Sequence, residues 1–285
     1  MNKYYYNTLV LSGGSIKAIS MLGSIQYCCD NNLLDGVNTY MGTSAGAILN
    51  YLLCIGYTPV EIIIYLCTHN IFEAVQFLDV VSMMNGGGAI GFSKFQEHLE
   101  KMTIDKVGRL MTFKDIKDLF NKTLIITTYN YTEQKVEYLS PTDTPDLPCL
   151  IALRMTSCLP LIFEPFKYNG NQYLDGAFGD NFPILYNLDD EKENSVKSHR
   201  LGITVDGYDE KTEDAVLEPN KLIEYLYKLI TIPLKQNIAK NLEAAKHMDV
   251  IHIRNNIGVF NYRLTSKEKM ELFSVGYQLA SDFFN

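Results

Sequence analysis

Ser44 stands in Gly42-Thr43-Ser44-Ala45-Gly46, one serine between two glycines with apolar residues on both sides. A Gly-x-Ser-x-Gly elbow turns sharply from a strand into a helix and holds the serine Oγ out for attack on an acyl carbonyl. Upstream, Asn38-Thr39-Tyr40-Met41 suits a short strand, and Ala45 to Gly56 reads as an apolar helix stopped by glycine. Taken alone the pattern also fits an ordinary turn, since glycine and serine gather in turns for conformational reasons. Two other stretches bear on the choice.

Thr8-Leu9-Val10-Leu11 reads as a buried strand running into Ser12-Gly13-Gly14-Ser15-Ile16-Lys17, and Ala18 to Cys29 has helical composition. Such a turn presents unpaired backbone N–H groups at the positive end of a helix dipole, which makes an anion site. A phosphate loop is excluded because Gly-x-x-x-x-Gly-Lys-Ser/Thr is absent. What remains is either a plain tight turn or an oxyanion hole. In the hole, N–H groups of Gly13, Gly14 and Ser15, with that of Ala45, would meet the charge of a tetrahedral intermediate. The second stretch is Tyr173-Leu174-Asp175-Gly176-Ala177-Phe178-Gly179-Asp180-Asn181-Phe182-Pro183, where an acid followed by Gly176 at a strand end by itself marks only a turn.

Together and in this order the three stretches resemble the patatin-like phospholipase family, with its Gly-Gly-Gly-x-Arg/Lys-Gly loop, Gly-x-Ser-x-Gly elbow and Asp-Gly-Gly/Ala block. Arg154-Met155-Thr156-Ser157-Cys158-Leu159-Pro160 and Phe163-Glu164-Pro165-Phe166 are similar to the family's small-residue and Phe-Pro-Pro segment. The similarity runs from about Leu9 to Pro183, with Ser15 in place of the loop's third glycine and Ala18 in place of its last. The resemblance implies an α/β fold, a three-layer α/β/α sandwich with a mostly parallel central sheet. It also implies a Ser-Asp dyad with Ser44 as nucleophile and Asp175 as base, cleaving an acyl ester of a phospholipid or other lipid through an acyl-enzyme. An Asp with an ordinary pKa of about 3.9 is a poor base; burial beside Leu174 and Phe178 would raise it. Lys17 either adds positive field near the oxyanion or is a solvated or locally paired lysine. Two alternatives share the motifs: an acyltransferase using the same acyl-enzyme, and a lipid-binding pseudoenzyme weakened at Ser15 and Ala18.

A Ser-His-Asp hydrolase on the common α/β scaffold needs a histidine after its acid. His69 and His98 precede Asp175, and His98 falls in Ser93 to His98, which reads as an exposed, box-capped first helical turn. His199 and His247 sit in polar surroundings, so only His252, in Val250 to Ile253, could reach a site from a strand end; a satisfied half-buried histidine is the competing reading. The dyad is preferred. No cofactor or metal is expected, for the chain has neither an Asp/Asn-rich calcium loop nor a His-Glu-x-x-His helix.

The 285 residues are expected to form one domain, a motif core at about 9–183 with 184–285 completing the sheet and outer helices. Strands alternate with helices, as in a parallel sheet covered on both faces. Thr58-Pro59-Val60-Glu61, Thr112 to Asp115 and Thr265 to Glu268 read as helix starts. Lys122 to Thr128 and Lys135 to Leu139 read as pairing strands, Leu150 to Ser157 as a helix, and Leu201 to Val205 and Val250 to Ile253 as late strands. Asn220 to His247 reads as helical with a break at Pro233, and acidic Asp209 to Glu218 as a solvated loop. Asn70 to Phe92 is either a lid that meets lipid or a core helix with its loop. Its Gly86, Gly88 and Gly91 match a dinucleotide fingerprint only formally, since no strand with a ribose-binding acid follows.

A net charge of −8 argues against nucleic acid as a partner and against broad adsorption to anionic lipid. No run approaches the ~18 apolar residues of a membrane span, and Met1 to Asn7 leads straight into a strand without a leader's apolar region. Six cysteines without Cys-x-x-Cys spacing suit reduced thiols. The expectation is a cytoplasmic chain, or one peripheral at membranes, whose partner is a lipid or membrane-surface substrate.

Overall fold

Apolar residues on both faces of a strand demand cover on both sides, and the central strands here carry them. The computed structural model describes residues 6–71, 92–160, 162–164, 166–186, 199–207, 232, 235–255, 257 and 264–285. Strands β1 (Thr8–Leu11), β2 (Thr39–Thr43), β3 (Thr123–Asn130), β7 (Arg200–Gly207) and β8 (Asp249–Asn255) run parallel in the order β3-β2-β1-β7-β8. In β1, Leu9 and Leu11 enter one core and Val10 the other; in β3, Leu124 and Ile126 divide from Ile125 in the same way.

The larger core lies between the sheet and α1 (Ile19–Asp30), α2 (Ala45–Cys54), α3 (Pro59–Thr68), α4 (Ser93–Val107), α5 (Phe113–Phe120), α6 (Cys149–Thr156) and α9 (Ser266–Phe284). After the short α7 (Ala177–Asp180), the smaller core joins Val10, Met41 and Ile125 to Phe182, Ile184 and Ala245, with Leu242 packed against them from the helix over residues 235–244, here α8. The result is the three-layer α/β/α sandwich, and its mostly parallel sheet agrees with the order of elements along the chain.

Three antiparallel strands finish the sheet: β4 (Lys135–Leu139), β5 (Phe166–Tyr168) and β6 (Asn171–Leu174). The β5–β6 hairpin is absent from the sequence reading, although its signal was present. Asn169-Gly170 supplies two consecutive positive φ angles, 49° and 83°, as a tight hairpin turn requires. Because β4 holds one edge of β3 over Ile126–Asn130, β6, which pairs with Tyr129 and Asn130, lies on the edge that β2 occupies up to Thr127.

The expected starts at Thr58, Thr112 and Thr265 carry full capping boxes. The start at Ser93 does not. Phe92 already has helical angles and no side chain caps the helix, so His98 is a half-buried residue turned to Tyr65 rather than part of an exposed first turn. The lid-or-core stretch lies outside the described residues except for Asn70, Ile71 and Phe92, and so do the acidic 209–218 run and Pro233. Among the described residues no single helix is long and apolar enough to cross a membrane.

Candidate active site

The elbow forms where α2 passes close over the sheet. A Cβ on Gly46 would collide with the Ser12 and Leu11 carbonyl oxygens, and one on Gly42 would come within 2.8 Å of the Ala47 nitrogen. Glycine on both sides of the serine is therefore a packing requirement. Ser44 itself takes φ 52° and ψ −124°, a backbone state that costs an L-residue free energy and that turns its side chain out of the strand-to-helix path. Its N–H donates to Thr156 Oγ1 at 2.8 Å, and Thr156 Oγ1 in turn donates to the Thr127 carbonyl.

Asp175 arrives from the shared edge of β3. β2 ends at Thr43 and β6 ends at Leu174 on the same edge, so the residues that follow them meet. Ser44 Oγ donates to Asp175 Oδ2 at 2.7 Å, and the Ala177 N–H donates to Oδ1 at 2.9 Å. The Asp175 N–H is held by the Cys158 carbonyl at 2.9 Å, and that of Gly176 by Thr156 at 3.2 Å. Gly176 has no room for a Cβ, which would strike the Thr127 carbonyl oxygen. Asp175 is 3% exposed, and removal from water pushes its carboxyl up to about 7, with the Ala177 and Ser44 hydrogen bonds offsetting part of the rise.

The glycine turn after β1 packs against the elbow, for a Cβ on Gly13 would lie 3.3 Å from Ser44 Cβ. The Gly13 N–H, expected as an oxyanion donor, instead donates to the Asn181 carbonyl at 3.0 Å, which ties the turn to the Asp175 block. The Gly14 N–H meets no acceptor among the described residues. Ala45 is the first residue of α2, where a backbone N–H has no intrahelical partner. Ser15 and Ala45 line one cavity with Ser44 and Asp175. Lys17 is 7% exposed, so it is not a solvated lysine.

The space beside them, open solvent included, amounts to about 1130 Å³. Its walls are overwhelmingly apolar: Ile19 and Leu22 from α1, Ile48 and Leu52 from α2, Leu99 and Met102 from α4. Among the described residues none of the five histidines bonds to Ser44 or Asp175. His252 Nε2 lies 2.7 Å from Asp206 Oδ2, His98 Nδ1 lies 2.9 Å from the Tyr65 hydroxyl, and His69 stacks on Tyr65. His199 and His247 are exposed. No group of three or more His, Cys, Asp or Glu side chains suited to a metal occurs among the described residues.

A family model described as patatin-like phospholipase matches residues 9–188. The chain belongs to the patatin-like phospholipase family. It is 36% identical over 186 residues to the "Probable lipid hydrolase 463L" of Invertebrate iridescent virus 6, a match that covers 63% of this chain and 62% of that protein. It is 27% identical over 278 residues to protein R571 of Acanthamoeba polyphaga mimivirus, covering 94% of this chain and 90% of the other. Among solved structures, VipD from Legionella pneumophila superposes with a TM-score of 0.58 at 16% identity, over 98% of this chain and 66% of VipD. The type III effector ExoU gives 0.54 at 15% identity, over 98% and 52%. The chain thus spans less than two thirds of the length of 463L, VipD and ExoU, and the two structures share its fold.

Set against the patatin-like pattern, three contributors escaped single-residue reading. Thr156 and Asn181 brace the elbow and the glycine turn, and only their place in family-like segments marked them. The third, Asn241, lies beyond the matched span: its Nδ2 is 3.0 Å from both Asp180 Oδ1 and the Phe182 carbonyl. Asp180 also accepts from Tyr138, and its carbonyl accepts from Thr43, the neighbour of Ser44.

The family's third loop glycine is explained by φ, since Ser15 sits at 51°. Left-handed backbone costs a non-glycine residue about 1–2 kcal/mol, and glycine's extra chain entropy returns about 0.5–1 kcal/mol of that. Ser15→Gly is therefore expected to raise stability by about 0.5–1 kcal/mol in urea unfolding; a loss would mean that the serine side chain contributes more than the strain removes. Asp175 yields a pH-dependent expectation. Its raised pKa means that the fold favours the protonated acid, a contribution complete below about pH 4 and lost as pH rises through about 7. Asp175→Asn should consequently be more stable than the native protein at pH 8, by an amount on the order of a few kcal/mol, with the gap closing near pH 4. An equal gap at both pH values would contradict the burial argument.

Proposed function

We propose that the chain hydrolyses carboxylic esters of lipids, phospholipids among them, by way of an acyl-enzyme on Ser44. The observation that carries this reading is the 2.7 Å hydrogen bond from Ser44 Oγ to Asp175 Oδ2 at the head of an apolar cavity. Family membership and the likeness to a protein described as a probable lipid hydrolase support the same substrate class.

In this reading Asp175 takes the serine proton as Oγ attacks the ester carbonyl, then returns it to the leaving alcohol. Water enters, gives its proton to Asp175 and attacks the acyl carbon, and the fatty acid leaves as Ser44 regains its proton. The base role needs a carboxyl with a pKa near the working pH, and burial supplies one near 7. The N–H groups of Gly14 and Ala45 are assigned to the oxyanion. Gly13 is assigned to positioning, because its N–H is spent on Asn181. Lys17 adds positive charge at the start of the first helix. Residues 1–285 act as one unit in this proposal, on the strength of the Asn241 brace to the Asp175 block.

Ser44→Ala should abolish ester hydrolysis and covalent fluorophosphonate labelling while circular dichroism stays native; labelling that survives would move the nucleophile to another serine. For the native enzyme, kcat/KM should rise with pH through about 7 as Asp175 loses its proton, and Asp175→Asn should lower it by about 10²–10⁴. A profile flat from pH 5 to 9 would remove Asp175 as the base.

A further inference from the structure

Two asparagines on α8 reach the block that carries Asp175, and they come from outside the span that the family model matches. Asn237 and Asn241 stand at i and i+4, so they share one face of the helix. Asn237 Nδ2 donates to the Gly179 carbonyl at 3.0 Å. The amide of Asn241 has two protons to give, and its Nδ2 lies 3.0 Å from each of two acceptors, Asp180 Oδ1 and the Phe182 carbonyl. Leu242 and Ala245 press the same helix into the smaller core with Phe182 and Ile184. Apolar packing holds a helix to a surface without direction, so the asparagines are what fix its register on the block.

What these bonds grip is tied to each part of the site. Asp180 and Phe182 stand on either side of Asn181, whose carbonyl accepts the Gly13 N–H at 3.0 Å, so holding both neighbours aims that carbonyl at the glycine turn. The Asp180 carbonyl accepts from Thr43 Oγ1 at 2.8 Å, one residue before Ser44. The Asp180 carboxylate is fully engaged: Oδ1 accepts from Asn241 and from the Phe182 N–H at 3.2 Å, and Oδ2 accepts from the Tyr138 hydroxyl at 3.0 Å. Asp180 is thus the joint where one helix face meets the strand before Ser44, the turn after Asp175 and the glycine loop.

We propose that α8 is a clamp on the reaction geometry, with Asn237, Asn241 and Asp180 as positioning residues. This rests on the proposed Ser44 chemistry and names residues that act through Ser44, Asp175 and the glycine turn. A base and oxyanion donors work only when placed to a fraction of an ångström, and a slip of about 1 Å costs on the order of 100-fold in rate. Releasing the clamp also lets water reach Asp175, which lowers a carboxyl that burial had raised. Rate and titration should therefore move together.

The test compares Asn241→Ala, the Asn237→Ala/Asn241→Ala double variant, Asp180→Ala and Asp180→Asn with native protein on a soluble nitrophenyl ester from pH 5 to 9, each checked by circular dichroism. Both asparagine variants and Asp180→Ala should lower kcat by about 10- to 100-fold and leave KM within about threefold. The midpoint of their kcat/KM profile should fall by about one unit from the native value of about 7. Asp180→Asn should stay within about threefold of native, because its amide oxygen still accepts from Asn241 and its nitrogen donates to the Tyr138 hydroxyl. Thr265→Ala is the control, since it removes the cap of α9 away from the site and should leave kcat and midpoint in place. If the double variant does not fold, the single variants decide. An unchanged kcat in Asn241→Ala and Asp180→Ala, or a fall in kcat with the midpoint still near 7, overturns the clamp alone. Native protein that cleaves no ester and takes no fluorophosphonate overturns the Ser44 reading, and the clamp with it.

Discussion

One edge of β3 is divided between two strands, and that division brings the Ser44 and Asp175 side chains together. β2 occupies it to Thr127, running parallel, and β6 takes over at Tyr129, running the other way. Two chains that approach along one edge from opposite directions must turn away at the gap between them. The residues at the two turns are Ser44 and Asp175. β4 holds the other edge of β3 over Ile126–Asn130, so β6 can pair with Tyr129 and Asn130 only on the edge that β2 leaves free. The supporting contacts converge on the same gap: Thr156 reaches Thr127, Ser44 and Gly176, while Gly176 fits against Thr43 and Thr127 only because it lacks a side chain.

The same closeness raises the basicity of Asp175 and carries a cost in stability. Asp175 is buried because the loops that turn away from the gap pack over it, and burial without a cationic partner raises its pKa toward neutrality. A carboxylate in that position destabilises the fold above pH 7, and Ser44 adds a strained backbone. Both are offset by the scaffold. The Asp175 block is held by Asn181 on the glycine turn, and by Asp180 on Thr43, Tyr138 and Asn241. Helix α8 thus bears on the site from beyond the stretch that marks the family.

Much of this was legible in the residues. The Gly-x-Ser-x-Gly spacing, the Thr-initiated helices and the doubly apolar strands report local backbone and burial requirements, and each took the form that the residue types demand. The Asn169-Gly170 hairpin was equally local and could have been read. The helix start at Ser93 departs from its capping pattern for a physical reason. A capping pattern cannot tell which residue first turns helical, and there the buried Phe92, set against Phe95 and Phe163, already does.

By itself the sequence determined the elements, the elbow and the pairing of residue types that points to a serine hydrolase of the patatin-like kind. Only the tertiary structure decided which atoms meet. That Ser44 bonds Asp175 and no histidine, and that the Gly13 N–H is spent on Asn181, depend on contacts between residues far apart in the chain. Hydrogen bonds and burial act through space, whereas residue types and spacing along a chain constrain only its nearest turns. The buried carboxyl shows the difference most plainly: an aspartate is written at position 175, but its basicity is set by strands and loops contributed from across the fold.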